Sequence, residues 1–387
     1  MSGHDLFCQP RRARHRAALT LVFASVLVTG AAAGSFDASA RKNISAEPTT
    51  LVGHGEGVTE AAARAMADGE SPVEAAELAV SRSGDRWGAV YSRGEYQEFE
   101  EALDGRYTGV GLSARRERDG RIEVTEVQPG SPASVAGIHA GDRLRSVDGE
   151  DVDDMPVPEV VSLLRGDAAD ADAGTRVRIG LQRGTRTWSE VLRRARLSTD
   201  PVSEYRLAGG ATVIRVAAFT KGSGDRVRDA VAAVPRGAGI VLDLRGNSGG
   251  LVAEAVTAAS AFLDGGLVAT YDVDGAQRSL HAAPGRNTTR PVVALVDSGT
   301  MSAAELLTGA LQDRGRAVVL GTRTFGKGSV QMPSRLPDGS VAELTVGHYR
   351  TPAGRGVDGH GITPDLEVDN DVLERAEKVL RGLGDAS

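Results

Sequence analysis

Asp297-Ser-Gly-Thr-Met-Ser302-Ala-Ala-Glu305 is the stretch on which the fold turns. The apolar run before it, Val292-Val-Ala-Leu-Val296, reads as a buried strand, and Gly299 and Thr300 break that run before an Ala-, Glu- and Leu-rich segment begins. This order predicts a strand-to-helix turn beside Ser302. Such a turn exposes a hydroxyl and leaves the first N–H groups of the helix without intrahelical partners, donors that suit an oxyanion. The plain alternative is a serine that only caps its helix.

Working outward, Ala317-Val-Val-Leu-Gly321 reads as the next strand and leaves through Thr-Arg-Thr-Phe325-Gly-Lys327-Gly-Ser-Val-Gln331. Gly326 and Gly328 let the backbone around Lys327 approach another segment closely. A lysine amine is a base only when neutral, so burial or nearby positive charge must lower its pKa from about 10.4. Phe325 and Val330 are the candidate apolar wall. Taken alone, Gly-Lys-Gly-Ser is equally a solvated turn.

In this order and at this separation, the two motifs resemble those of the carboxyl-terminal processing (tail-specific) proteases. The resemblance implies a serine nucleophile at Ser302, a lysine base at Lys327 and a supporting glutamine at Gln331. Two departures stand beside it: Met301 replaces a usually small residue and Ala304 a usual serine.

With 387 residues, 41% hydrophobic and 25% charged, the chain is that of a globular protein of two or three domains, and its net charge of −7 leaves no nucleic-acid footprint. Cys8 is the only cysteine, so no internal disulfide forms. Arg11-Arg-Ala-Arg-His-Arg16, then an apolar run over 17–33 ending in Ala31-Ala-Ala33, reads as an export segment. It fits a cleaved signal peptide and a membrane anchor alike (residues 1–34), and either places the rest outside the cytoplasmic membrane. Residues 35–59 read as a polar linker, and 60–106 as a region of short helices that includes 95–103.

Residues 107–196 carry a second recognisable unit. Thr108-Gly109-Val110-Gly111-Leu112 resembles the carboxylate-binding loop of PDZ domains, with Gly130-Ser-Pro-Ala-Ser-Val-Ala-Gly137 and Gly141-Asp-Arg-Leu-Arg-Ser-Val-Asp-Gly149 matching later parts of that fold. A glycine-rich row of N–H groups can hold a peptide's terminal carboxylate while the peptide adds as a strand. Residues 158–164 read as a helix lining the groove with Val161 and Leu164, an apolar lining that favours an apolar terminal side chain. Arg165 is a candidate link from this module to the protease site. The acidic loop 166–174 lacks the glycine and terminal glutamate of a calcium loop and reads as a solvated insertion. Segments 175–183 and 187–193 alternate like a hairpin.

The core, 197–370, begins strand (211–217), helix (225–234), strand (239–244), then Arg245-Gly-Asn-Ser-Gly249-Gly250. A glycine loop after a buried strand can aim N–H groups at a negative atom, and no Gly-Lys-Ser/Thr continuation marks it for nucleotides. The resemblance assigns this loop to an oxyanion hole, with the backbone of Gly249 or Gly250 joined by Ala303. Residues 371–387 read as a C-terminal helix and tail. The resemblance covers 91–368 and implies a multidomain α/β (α+β) chain: a PDZ-like module ahead of a ClpP/crotonase-like core, with a helical N-terminal region.

The expected activity is that of an extracytoplasmic serine endopeptidase, needing neither metal nor organic cofactor and acting on protein tails with apolar C-termini. A triad using His281, His348 or His360 is the chemical competitor, and a silent scaffold that captures C-termini is the functional one. The resemblance also allows a homodimer or an adaptor protein.

Overall fold

The computed structural model describes residues 54–384 except 118, 167–172, 274–275 and 285–288. The export segment, most of the linker and most of the acidic loop lie outside the described residues. Among the described residues, no helix is long and apolar enough to cross a membrane. The chain divides into two compact units, 108–197 and the remainder.

The larger unit is built on a six-stranded sheet ordered Val202–Arg206, Thr212–Val216, Ile240–Asp243, Val292–Val296, Val318–Gly321, Leu366–Glu367. The first pair is antiparallel and the rest are parallel. Period-2 alternation gives this sheet two apolar faces. Ile214, Leu242, Ala294 and Val319 pack with helices Ser223–Ala233, Val252–Ala259 and Ala303–Asp313. Val213, Val241, Val293, Leu295 and Leu320 pack instead on Ala376 and Leu380 of helix Val372–Gly384. The C-terminal helix therefore closes the second face of the core sheet.

A second sheet joins Ala89–Tyr91, Val341–Arg350, Leu267–Val273 and Ala276–His281, with Ser329–Arg335 also pairing Val341–Arg350. Helices His54–Asp68 and Pro72–Ser83 come before its first strand and Arg93–Leu103 directly after it. The first of these starts inside the stretch expected to be linker, which ended at 59. Its buried Val58 and Ala62 cluster with Ala342 and Leu344, so packing rather than local periodicity sets its start.

The smaller unit is a five-strand path, Leu112–Arg116, Ile122–Val127, Arg143–Val147, Arg176–Arg183, Arg186–Arg193, with Glu150–Asp151 on Arg143–Val147. Helices Pro132–Val135 and Val157–Arg165 accompany it. Residues 108–112 turn between strands Arg106–Gly109 and Leu112–Arg116, with Val110 buried and its carbonyl accepting Ala133 N–H. Leu164, expected to line the groove, is buried in the unit's core with Val160, because residues four apart share a helix face. Val161, on the adjoining side, is half-buried.

Candidate active site

The strand-to-helix turn forms as the sequence suggests, and it is strained. Ser302 sits at φ 57, ψ −117, left-handed backbone that a non-glycine residue adopts at a cost of about 1–3 kcal/mol. Surrounding bonds impose it. Asp297 Oδ1 accepts N–H from Gly246 and Gly299, Thr300 Oγ1 donates to the Leu244 carbonyl, and Met301 N–H donates to the Asn247 carbonyl. The turn is thereby fastened to the glycine loop.

That loop comes against the serine. A Cβ on Gly249 would lie 2.9 Å from Ser302 Cβ, and one on Gly250, at φ 126, would lie 2.3 Å from the Phe219 carbonyl oxygen. Only glycine fits at either position. Gly249 N–H is already donated to Asn247 Oδ1 at 2.8 Å. The N–H groups of Gly250 and Ala303 make no such bond among the described residues.

The sequence reading missed Glu305 as a functional residue. It is fully buried and accepts N–H from Ser302 (2.8 Å), Gly326 (2.7 Å) and Lys327 (2.8 Å), and O–H from Thr324 (2.5 Å). Burial pushes its carboxyl up while these four bonds pull it down. With every donor aimed at it, a proton on the carboxyl would face another proton, so the ionised form is the one the site holds. The Ser-x-x-Glu spacing of a capping box was the available signal, though only the Glu305 half is made. Tyr349 is a second clamp: its buried hydroxyl lies 2.9 Å from the Ser302 carbonyl and 3.0 Å from that of Lys327.

Lys327 is buried, and desolvation lowers its amine to about 8 against the opposing pull of Glu343, Asp85, Asp358 and Glu305. The apolar wall is Trp87, whose ring lies 5.4 Å from Nζ. Phe325 is 43% exposed and packs instead against Trp87, at 5.7 Å between centroids. Val330 is buried in the core cluster of the larger unit. Trp87 is held by its Nε1 donating to Asp358 Oδ1 at 3.1 Å, and Asp358 Oδ1 also accepts Gly328 N–H.

Gln331 donates to Ser329 Oγ (2.7 Å) and Thr345 Oγ1 (3.2 Å), and Thr345 donates in turn to Asp85. Its Oε1 is buried with no partner. Ser302 Oγ likewise has none, so the structure brings the serine and lysine loops together without forming the Oγ to Nζ hydrogen bond. Among the described residues no histidine bonds Ser302 either: His348 lies 3.7 Å from Asp358, and His360 bonds the Asp358 carbonyl. A further buried carboxyl, Glu343, belongs to the lysine's surroundings and was also missed. Among the described residues, no group of three metal-ligating side chains is assembled.

A PDZ domain ahead of a peptidase core is the class that fold and sequence comparison together define. Residues 100–169 match the PDZ domain model and residues 210–368 that of peptidase family S41. The chain is 35% identical over 316 residues to the chloroplastic carboxyl-terminal-processing peptidase 3 of Arabidopsis thaliana, covering 76% of this chain and 60% of that protein. It is 31% identical over 290 residues to the carboxy-terminal processing protease CtpA of Bacillus subtilis, covering 74% and 61%. It thus spans about three-fifths of the length of these relatives. Among solved structures, the photosystem II D1 C-terminal processing protease is 30% identical, with 81% of this chain and 86% of that one covered and a TM-score of 0.52. The chain belongs to the carboxyl-terminal processing proteases of peptidase family S41.

Proposed function

We propose that the protein is an extracytoplasmic serine endopeptidase that captures the C-terminal tail of a substrate protein on its PDZ domain and cleaves with a Ser302–Lys327 dyad. The observation that carries this reading is Glu305, which binds the backbone of both residues and so fixes a strained, unpartnered serine hydroxyl relative to a desolvated lysine. The Arg-rich, then apolar N-terminus supports export.

In this mechanism Lys327 acts as the neutral amine. With a pKa of about 8, about a tenth of the amine is neutral at pH 7, against less than a thousandth for an ordinary lysine. Nζ swings to Ser302 Oγ and takes its proton as Oγ attacks the scissile carbonyl. The oxyanion receives the N–H groups of Gly250 and Ala303, and each such donor contributes about 3–4 kcal/mol to lowering the barrier. Lys327 then returns the proton to the leaving amine, and water, deprotonated by the same amine, hydrolyses the acyl-enzyme. Gln331 Oε1 is the unpaired acceptor suited to steady the ammonium.

The test is cleavage of an unstructured protein ending in Ala-Ala or Val-Ala, with Ser302→Ala and Lys327→Ala alongside. Loss of cleavage in both variants, dependent on a free substrate carboxylate, is expected. Tail binding without cleavage by the unaltered protein would favour the capturing scaffold.

A further inference from the structure

Glu343 has no role in the mechanism above, yet its side chain is fully buried and neither carboxylate oxygen has a hydrogen-bond partner. Among the described residues no cation stands within ion-pair distance of it. An uncompensated buried carboxylate is costly, so its placement calls for an explanation. Strand Val341–Arg350 supplies the geometry. Alternate residues share a face, so Glu343 lies between Val341, which packs on Tyr96, Phe99 and Leu103, and Thr345, which bonds Gln331 and Asp85. Its strand partners are Ala89 on one side and Pro333 on the other.

We infer that Glu343 is a positioning residue for Lys327: its negative charge holds the lysine as an ammonium, and its neutralisation frees the amine to act as a base. This rests on the dyad reading. Ala89, the strand partner of Glu343, stands two residues from Trp87, whose ring lies 5.4 Å from Lys327 Nζ, so the carboxyl and the amine belong to one buried cluster. Of the charges acting on Lys327, Glu343 is the strongest, ahead of Asp85, Asp358 and Glu305, and Lys327 is the charge that pulls Glu343 down. Burial raises the Glu343 carboxyl to about 7, beside an amine at about 8, so the pair titrates together across the neutral range.

The other titratable neighbours do not replace this coupling. Tyr91 and Tyr96, on the strand and helix packed against Glu343, are both pushed up to about 12 and stay neutral at working pH. Glu95 acts on Tyr91, and Glu100 and Arg335 act on Tyr96. Asp85 is held by the N–H groups of Trp87, Gly88 and Thr345, and Glu305 by its four donors. Glu343, with no bond to either oxygen, is the carboxyl free to change state.

The chain has only four lysines, Lys42, Lys221, Lys327 and Lys378, so the Lys327 titration can be followed by carbon-13 NMR of the full chain labelled at lysine, assigned by loss of its signal in Lys327→Ala. In Glu343→Gln the Lys327 midpoint is expected to fall by about one pH unit, and the acid limb of peptide hydrolysis with it, a roughly tenfold gain relative to plateau well below the limb. Glu343→Asp, which keeps the charge, should stay near the unaltered protein. Glu343→Met provides a second neutral variant should the glutamine fail to fold. An unmoved Lys327 midpoint in the neutral variants, or an equal fall in Glu343→Asp, overturns the inference. The dyad reading fails separately, through hydrolysis retained in Lys327→Ala or an acid limb that stays put while the Lys327 midpoint moves.

Discussion

Glu305 accepts the backbone N–H of Lys327 at 2.8 Å and, through the same Oε2, that of Ser302 at 2.8 Å. One carboxylate thus fixes the spacing of two loops that are 25 residues apart in sequence by their numbers, while their side chains stay free to move. Glu305→Gln tests this clamp. Its amide replaces an acceptor with a donor, leaving at least one buried N–H without a partner. We expect a loss of about 2–4 kcal/mol in urea unfolding and a fall in cleavage larger than in substrate affinity.

The strain at Ser302 separates stability from activity. Ser302→Gly removes the steric penalty of φ 57, whereas Ser302→Ala keeps it. Both variants should be inactive. The glycine variant is expected to be about 1 kcal/mol more stable than the alanine one, read from their denaturation midpoints. Equal stabilities would show that the turn carries no strain.

Lys327 ties the rate to pH. A base lowered to about 8 gives a kcat/KM that rises with pH and levels above that value. The linkage sign follows from the same shift. The folded-state value lies below the unfolded one of about 10.4, so the unfolded chain binds more protons between the two, and stability is lost as pH falls from about 10.4 to 8. Compared with Lys327→Met, the unaltered protein should therefore lose stability across that window. Parallel curves throughout would mean an unshifted lysine.

Trp87 keeps water from the amine. Trp87→Ala should let solvent reach Nζ and move the acid limb upward by about one unit, lowering the rate at pH 7 roughly tenfold. Trp87→Phe, which preserves a ring, should hold the limb near its original position. An unmoved limb in the alanine variant would remove Trp87 from the lysine's environment.

Where chemistry is local, the sequence sufficed. The apolar run 292–296, the break at Gly299 and Thr300, and the helix-forming segment after Ser302 dictate a strand, a turn and a helix, because strand period, chain breakers and helix propensity act over a few residues. The glycines at 249 and 250 stood out only as a loop after a buried strand; that they press against Ser302 and Phe219, where only glycine fits, is a tertiary matter.

Tertiary structure decided what surrounds the serine and the lysine. Trp87, rather than the neighbouring Phe325, covers Lys327, and it is held by Asp358 from 271 residues away. Leu164 turned into the core because the whole helix face, not one residue's polarity, determines burial. Glu343 alternates on its strand as a solvent-facing residue would, yet the folded chain buries it on a strand paired on both sides. Burial and long-range charge set the pKa of a lysine, and neither is a property of the residues beside it in the chain.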